Sequence, residues 1–271
     1  VGYLALFANT TGAHNVGIGV SALGANTTGN YNIGIGYQSL LNVGNNGHVA
    51  VGYQALKANT TGHSNVAIGY QAALALTTGQ ESVAIGYNTL VACTTGGYNT
   101  CIGMNTGEDQ TASYACYVGA NAGRNNTTGS RNCAFGHDAM QGNTTGSMNT
   151  ILGNRAMISG NGSNNVIIGK SAGESGSYAA DNNTFVGYYA GSANTTGGNN
   201  TLLGNGAATP DAADANCVTL GNSAVGNLRC QVNSISSLSD ERDKTDIVDL
   251  PIGLNFVNKL RPVRFKWDMR N

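Results

Sequence analysis

Apolar and polar residues alternate in a short phrase that recurs through most of the chain. In residues 65–74, NVAIGYQAAL, Val66 and Ile68 flank one small residue, and Gly69 follows them. Two apolar positions spaced by two, with frequent β-branching, predict a short β-strand, because a helix would not keep that alternation. We expect Val66 and Ile68 to point into a thin core and Gly69 to allow a bend.

The glycine that follows each predicted strand sets the period of the chain. Successive glycines lie 16 to 18 residues apart, and so regular a period predicts a repeat architecture. The repeats continue to about residue 229. The fourteen glycines, called the anchor glycines below, are Gly2, Gly19, Gly36, Gly52, Gly69, Gly86, Gly103, Gly119, Gly136, Gly153, Gly169, Gly187, Gly204 and Gly221.

Each repeat has the pattern of one coil of an all-β fold. A small residue three positions after the anchor glycine, such as Ala72, predicts close packing on neighbouring coils or on another chain. The turn phrase NTTG, as in residues 59–62, supplies Asn and Gly, which tolerate turns and positive φ. The sequence therefore predicts either a β-solenoid or β-roll of a single chain, or a triple β-helix fibre of three intertwined chains.

A slim coil with few large side chains predicts association with other copies. The chain has only 5 Phe and 1 Trp among 271 residues, so one coil encloses little apolar volume. At the spacing of β-strands, the run of repeats would extend roughly 60 Å. Repeat arrays bury surface mainly against their neighbours, and a thin rod gains further by packing side by side. We expect a homotrimer.

Asparagine recurs four residues before the anchor glycine, and two structures fit this pattern. Stacked at equal heights, the side chains would form an amide hydrogen-bond ladder along the solenoid. Independent Asx turns, one in each coil, explain the pattern equally well. The repeated residues are Asn15, Asn32, Asn65, Asn99, Asn132, Asn149, Asn165, Asn183 and Asn200.

Composition excludes several classes of function. The formal net charge is −1, which gives no reason to expect nucleic acid or an anionic membrane as a partner. No stretch approaches the roughly 20 apolar residues of a membrane-spanning helix, so no membrane insertion is expected. The six cysteines lack C-x-x-C spacing and are interpreted as small buried hydrophobic residues. The four histidines lie in different repeats, and neither a metal site nor a cofactor is expected.

Charge density changes abruptly near residue 240. Residues 240–271 carry 13 of the 27 charged side chains. We therefore predict a repeat region at 1–229, a linker at 230–239 and a second domain from 240 to 271. Within the second domain, residues 251–260 predict a short helix and residues 263–267 alternate as a strand.

The start of this charged region resembles a known family. Residues 238–247, LSDERDKTDI, and 260–267, LRPVRFKW, are similar to the intramolecular chaperone domain of endosialidases and phage tail fibres, the S74 peptidase family. In that family the domain follows a trimeric β-rich fibre, assists its trimerisation and then cuts itself off at a Ser-Asp bond. The repeats also resemble those that precede this domain in phage proteins. Only about 32 residues match, so the domain is expected to be truncated.

The resemblance implies a self-cleavage site. Ser239 and Lys244 match the family's catalytic residues, and Asp240 would follow the cut. Lys244 could act as a base only where burial or a nearby cation lowers its pKa. Ser239 cannot attack its own carbonyl, so a hydroxyl of another chain or a water molecule would be needed. A charged, solvated linker is the plainer interpretation, and no self-cleavage is expected of the truncated domain.

These observations favour a structural and host-recognition fibre protein, such as a viral tail fibre or spike in the virion. Its expected partners are two further copies of itself, a host cell-surface receptor or glycan, and other virion tail proteins. Receptor contacts are expected in the irregular repeats at 108–114, 173–178 and 209–214. Simple variation in the length of the repeats also explains these loops. No activity on a substrate is expected.

Two alternatives from another class remain. Trimeric bacterial surface adhesins have similar coils, and an extracellular filament of another origin would fit the same repeats. Such a filament could be glycosylated, because six Asn-Thr-Thr phrases are acceptor sequences for N-glycosylation. The preference of Asn for turns explains the same phrases without any glycan. The acceptor residues are Asn9, Asn26, Asn59, Asn126, Asn143 and Asn194.

Overall fold

The repeats form thirteen short strands, one in each coil. A computed structural model describes residues 1–175 and 178–227, and within these residues there is no helix. The strands are β1 Val16–Ile18, β2 Ile33–Ile35, β3 Val49–Val51, β4 Val66–Ile68, β5 Val83–Ile85, β6 Thr100–Ile102, β7 Cys116–Val118, β8 Cys133–Phe135, β9 Thr150–Leu152, β10 Val166–Ile168, β11 Thr184–Val186, β12 Thr201–Leu203 and β13 Val218–Leu220.

All thirteen strands form one parallel sheet in chain order. Each strand pairs with the next along the chain, residue for residue, as where Val66 lies opposite Val83 and Ile68 opposite Ile85. Each coil of about 17 residues therefore adds one strand. The predicted all-β solenoid is confirmed, and a single chain forms it. The intertwined triple β-helix is wrong for these residues, because consecutive coils of one chain supply the strand partners.

The predicted direction of the strand side chains is wrong. The middle residue of each strand up to β12 is buried and its two neighbours lie outside, as in β4, where Ala67 is fully buried and Ile68 is exposed. Val66 and Ile68 therefore face away from the core. The coil is too thin to admit two columns of large side chains from one wall. A Cβ built on Gly34, at the middle of β2, would already lie 3.1 Å from the Leu23 side chain.

The interior is filled by side chains of complementary size from two walls. The second wall is the turn after the anchor glycine, where a small residue is followed by a residue such as Leu90. Where the middle strand residue is the large Tyr117, the corresponding turn residue is Gly123, and a Cβ there would lie 2.4 Å from the Tyr117 ring. Phe185 and Gly191 repeat this arrangement. In these two coils a large residue on the strand is thus accommodated by a glycine on the opposite wall.

The anchor glycines are required by two independent constraints. Gly69 has φ +136°, a conformation that L side chains rarely adopt, and a Cβ there would lie 2.2 Å from the Gly86 carbonyl oxygen of the next coil. The predicted bend is confirmed, and the close approach of the next coil's backbone is a second reason for glycine. The small residue three positions later, such as Ala72, is fully buried and packs within the same chain.

The glycine of the NTTG turn serves only one of these purposes. Gly29 has no positive φ, contrary to expectation, but a Cβ there would lie 2.5 Å from both Asn26 Oδ1 and the Asn45 carbonyl oxygen. The left-handed conformations fall elsewhere in the coil, on non-glycine residues such as Gln71 and Ala73. Close packing along the stack, rather than turn geometry, places glycine in the NTTG phrase.

By its internal contacts the chain divides into two units, Val1–Val225 and Gly226–Asn271. The first unit is the solenoid. The predicted linker at 230–239 and the helix and strand expected at 251–260 and 263–267 lie outside the described residues, so these boundaries and elements stay predictions.

Candidate functional site

The asparagines before the strands form a buried ladder. Asn149 Oδ1 accepts the backbone N–H of Asn165 at 3.0 Å, and Asn149 Nδ2 donates to the Gly162 carbonyl at 2.9 Å. Asn165 repeats the pattern with the N–H of Asn183 and the carbonyl of Ala180. Each amide therefore ties its coil to the next, which favours the ladder over independent Asx turns. Such continuous bonding along the axis stiffens the solenoid.

One position of the ladder is a histidine. His48 Nε2 lies 2.9 Å from the Gly62 carbonyl oxygen, and His48 Nδ1 accepts the N–H of Asn65 at 3.3 Å. This pair of bonds requires the neutral imidazole with its proton on Nε2, since Nδ1 must accept. Burial lowers the pKa of His48 to about 4. The side chain thus reproduces the donor and acceptor of asparagine only while it is uncharged.

The asparagines of the Asn-Thr-Thr phrases form a second interior column. Asn26 Oδ1 accepts the N–H of Gly29 at 3.1 Å, and Asn26 Nδ2 donates to Asn9 Oδ1 at 2.9 Å. Glycosylation at these positions stays a prediction, but a sugar on a buried amide would have to be attached before its coil folds. Asn9 is half-buried, and the other five are at most 1% exposed, namely Asn26, Asn59, Asn126, Asn143 and Asn194.

The irregular repeats differ in what they expose. In 108–114, Glu108 forms an ion pair with Arg124 at 2.7 Å, and Tyr114 is half-exposed. In 173–178, Glu174 pairs with Arg155, whereas Tyr178 is fully buried. The Tyr178 hydroxyl donates to Asn165 Oδ1 at 3.0 Å and joins the asparagine ladder. Tyr178 is therefore a core residue and is not accessible to a receptor.

The third irregular repeat, 209–214, closes on itself. Thr209 Oγ1 donates to the Asp211 carbonyl at 2.6 Å, and the Asp211 N–H donates to an Asp214 carboxylate oxygen at 2.9 Å. These bonds order an exposed turn without a partner. Receptor contact at the three irregular repeats stays a prediction.

The outward side of the sheet is a continuous, mostly apolar surface, the sheet face. It consists of the first and third residues of every strand, none of which is charged. Ile68 and Ile102 are each 37% exposed, and Leu152 is 50% exposed. With thirteen strands at strand spacing, the face extends roughly 60 Å. So long an apolar patch is unusual on a monomeric protein and is typical of a surface that binds another molecule.

A second exposed surface is aromatic. Four tyrosines that follow anchor glycines stack with ring centroids 5.1 to 5.2 Å apart and planes within 12° of parallel. Beside them, Gln54 donates to Gln38 at 2.9 Å and Gln71 donates to Gln54 at 3.3 Å. These contacts add side-chain support between coils. The stacked residues, called the tyrosine column, are Tyr37, Tyr53, Tyr70 and Tyr87.

The cysteines of the described residues are free thiols. Cys101 is fully buried, and its desolvation raises the pKa of the thiol. Burial also raises the pKa of Cys93, to about 11. The interpretation as buried hydrophobic residues therefore holds for Cys93 and Cys101, while Cys116, Cys133 and Cys217 are half-buried. Cys230 lies outside the described residues.

Comparison with protein families finds one match. Residues 239–270 match the family model described as chaperone of endosialidase, Peptidase_S74. The C-terminal segment is similar to the endosialidase chaperones. This match confirms the resemblance predicted from the residues around Ser239 and indicates a role in assembling a tail-fibre or endosialidase-type trimer. No curated protein and no solved structure matches the chain.

The residues with catalytic roles in this resemblance, Ser239, Asp240 and Lys244, all lie outside the described residues. Their arrangement, and therefore self-cleavage, stays a prediction. In the part of the chain that the structure describes, no group of three His, Cys, Asp or Glu side chains could hold a metal ion. Among the same residues, no helix is both long enough and apolar enough to cross a membrane.

The sheet face was not predicted from the sequence, although a signal for it was present. The middle strand residue is Gly or Ala in several coils, such as Gly17, Ala67 and Ala84. In a thin coil, an inward side chain meets the opposite wall after a short distance. Small residues therefore fit inside, and their large neighbours lie outside. The prediction for Val66 and Ile68 followed the usual rule that large apolar side chains point inward.

Proposed function

We propose that this protein is a host-recognition fibre protein whose solenoids assemble as a homotrimer through the sheet face, aided by the C-terminal chaperone segment at 239–270. The observation that carries the proposal is the uncharged, mostly apolar surface along all thirteen strands. The family match supports the assembly role. Three rigid solenoids side by side would present their surfaces to a host at the same time. Such multivalent contact raises avidity without a deep binding pocket.

The size of the sheet face suits a stable interface. Its length of roughly 60 Å and a width of about 10 Å, from two side-chain columns, correspond to roughly 600 Å² on each copy. Two such faces bury about 1,200 Å² together, which is the lower end of the range for stable protein interfaces. Since every coil presents the same two columns, copies of this chain match one another in spacing, which favours self-association over a chemically unrelated partner.

Oligomeric state tests the proposal, and one coil supplies a matched control. Ile102 lies on the sheet face, whereas Met104, two residues later, is exposed outside it. We expect the wild-type chain to sediment as a trimer at micromolar concentration. The double variant Ile68→Lys/Ile102→Lys should dissociate, because charges at an apolar interface lose their hydration. The control Tyr70→Lys/Met104→Lys should remain trimeric.

Two results would contradict this assembly. A monomeric wild-type chain at micromolar concentration would remove the trimer. A trimer that the two sheet-face lysines leave intact would place the interface elsewhere. Circular dichroism of each variant separates loss of assembly from loss of fold.

Self-cleavage by the chaperone segment is the finer part of the proposal. Hydrolysis would break the bond between the Ser239 carbonyl carbon and the Asp240 nitrogen; water supplies the oxygen, and the new amine takes a proton. Lys244 is the proposed base, provided that its surroundings lower its pKa. Mass spectrometry of the full-length protein should find the cut after Ser239. Lys244→Gln should prevent it and Lys259→Gln should not, whereas an uncut wild-type protein would contradict self-cleavage alone.

A further inference from the structure

A column of surface side chains, distinct from the tyrosine column, carries stacked rings in some coils and lacks them from Gly47 to Glu81. Its members lie five residues before the anchor glycines, and planar members on adjacent coils stack. The ring centroids of His14 and Tyr31 are 4.9 Å apart and nearly parallel, and those of Tyr98 and Tyr114 are 5.2 Å apart. The first eight members of this planar column are His14, Tyr31, Gly47, Ser64, Glu81, Tyr98, Tyr114 and Arg131.

The stack that begins at His14 ends at Gly47, which leaves one face of the Tyr31 ring open. Tyr31 stacks on His14 on one side and is 65% exposed. Between Tyr31 and Ser64 lie two coil steps, roughly 10 Å at strand spacing. A stacked ring elsewhere in the column occupies one such step. The open cleft at this point, of about 430 Å³, is therefore one ring thick.

The cleft combines this aromatic wall with polar groups that have no partner among the described residues. Asn46 Oδ1 accepts the N–H of Asn30 at 2.7 Å, but Asn46 Nδ2 donates to none of these residues. His63 Nδ1 lies 3.4 Å from Ser64 Oγ, and its Nε2 is unbound. None of the lining residues is Asp, Glu, Lys or Arg. They are Tyr31, Asn45, Asn46, Gly47, His63 and Ser64.

We propose that this cleft binds one uncharged hexopyranose residue of a glycan. The apolar C–H face of the sugar would stack on the Tyr31 ring in the layer that Gly47 leaves empty, and its hydroxyls would bond to Asn46, His63 and Ser64. Ligand sites commonly join such an apolar wall to a few placed polar groups. A purely aromatic ligand would bury the same polar groups without partners. A nucleotide would lack a cation for its phosphate.

This site deepens the proposed host recognition by naming a ligand class, and it rests on that role only for its biological meaning. Binding in the cleft needs one chain, because all six lining residues belong to neighbouring coils. The trimer and the cleft can therefore fail separately. A trimer that binds no sugar contradicts the cleft alone, and a monomer that binds sugar through Gly47 and Tyr31 contradicts the assembly alone.

The column itself suggests the decisive variant, Gly47→Tyr. A Cβ at Gly47 would have no neighbour closer than 3.6 Å. Tyrosine already holds a similar left-handed conformation in this column, at Tyr98 with φ +61° and Tyr114 with φ +65°, against +77° at Gly47. The new ring should continue the stack from Tyr31 and fill the cleft without unfolding the coil. Tyr31→Ala removes the wall instead, and Tyr114→Ala is the matched control at an uninterrupted position.

Saturation-transfer NMR on the full chain, with methyl glycosides of glucose, galactose and N-acetylglucosamine as probes, tests the site. We expect transfer to at least one glycoside, and an affinity at least tenfold weaker in Gly47→Tyr and in Tyr31→Ala, with Tyr114→Ala unchanged. Absence of transfer to the wild type, or equal binding by Gly47→Tyr, would overturn the proposal. So would binding of indole or of a thymidine oligonucleotide in the cleft with no glycoside bound.

Discussion

The interior and the sheet face of this solenoid both depart from the usual distribution of side chains. Inside, two columns of asparagine are almost fully buried, as Asn65 and Asn126 illustrate. Outside, valine and isoleucine project from most coils, and Ile68 is 37% exposed. The ladder asparagines are tolerated inside because each of their amides bonds to the coil above or below it. Apolar groups remain outside because the coil is thin, and they are available to bind another surface.

The largest expected effect comes from breaking the interior ladder. Asn165→Leu keeps the branched shape of the side chain but leaves the Asn183 N–H and the Ala180 carbonyl without their partner, and it removes the acceptor of the Tyr178 O–H. Each unsatisfied buried group costs about 1–3 kcal/mol, so we expect a loss of about 5 kcal/mol in the free energy of unfolding. Urea denaturation measures it.

The neighbouring residue provides the control for the ladder. Val166→Thr changes the sheet face one position away, where adjacent coils already carry Thr150 and Thr184. It should cost less than about 1 kcal/mol in the free energy of unfolding. Equal losses for Asn165→Leu and Val166→Thr would contradict the distinction between interior and sheet face.

A second effect tests size matching within the core. Tyr117→Ala should lose about 4 kcal/mol in the free energy of unfolding, because it opens a cavity beside Gly123. Adding Gly123→Leu should recover about 2 kcal/mol, since Ala84 and Leu90 form this combination in another coil with the same left-handed turn. Gly123→Leu alone should destabilise the chain. Simple additivity of the two changes in a double-mutant cycle would argue against complementary walls.

Acid should weaken the interior at His48 specifically. Burial lowers the pKa of His48 to about 4 in the folded chain, from 6.5 for an unperturbed histidine. Its contribution to stability is therefore complete above pH 6.5 and is lost as pH falls towards 4, by about 3 kcal/mol. His48→Asn should remove this part of the pH dependence of urea unfolding while keeping the ladder. Exposed His63→Asn serves as control, and unchanged acid sensitivity in His48→Asn would refute the assignment.

The smallest effect concerns the exposed tyrosine column. Tyr70 stacks on Tyr53 and Tyr87 at 5.1 and 5.2 Å. Tyr70→Ala should cost about 1 kcal/mol in thermal or urea unfolding, far less than Asn165→Leu, because solvent takes the place of one ring. Tyr70→Phe keeps the stack and should be neutral. A loss as large as that of the interior variants would mean that the outer surface holds the coils together as strongly as the ladder does.

Much of the fold could be predicted from the sequence because the constraints repeat. The anchor glycine recurs wherever a Cβ would strike the next coil, and the small residue three positions later recurs wherever two walls meet. A period of this kind predicts a solenoid with little further information. The resemblance at 239–270 was likewise visible in the motif around Ser239.

The surfaces could not be predicted in the same way. A strand of three residues has an alternating pattern whichever face is inward, and only the distance to the opposite wall excludes Val66 and Ile68 from the core. The cleft at Gly47 was also missed, because a single glycine among forty has meaning only when the Tyr31 ring and the polar side chains around it are placed.

The sequence by itself determined the period, the all-β class and the positions of turns, because these depend on local sterics and on residue types that recur about every 17 positions. The tertiary structure alone decided that one chain forms the coil, that asparagine amides bond between coils, and that the Val and Ile columns face outward. Those properties depend on distances between residues one coil apart, which adjacent positions in the chain do not specify.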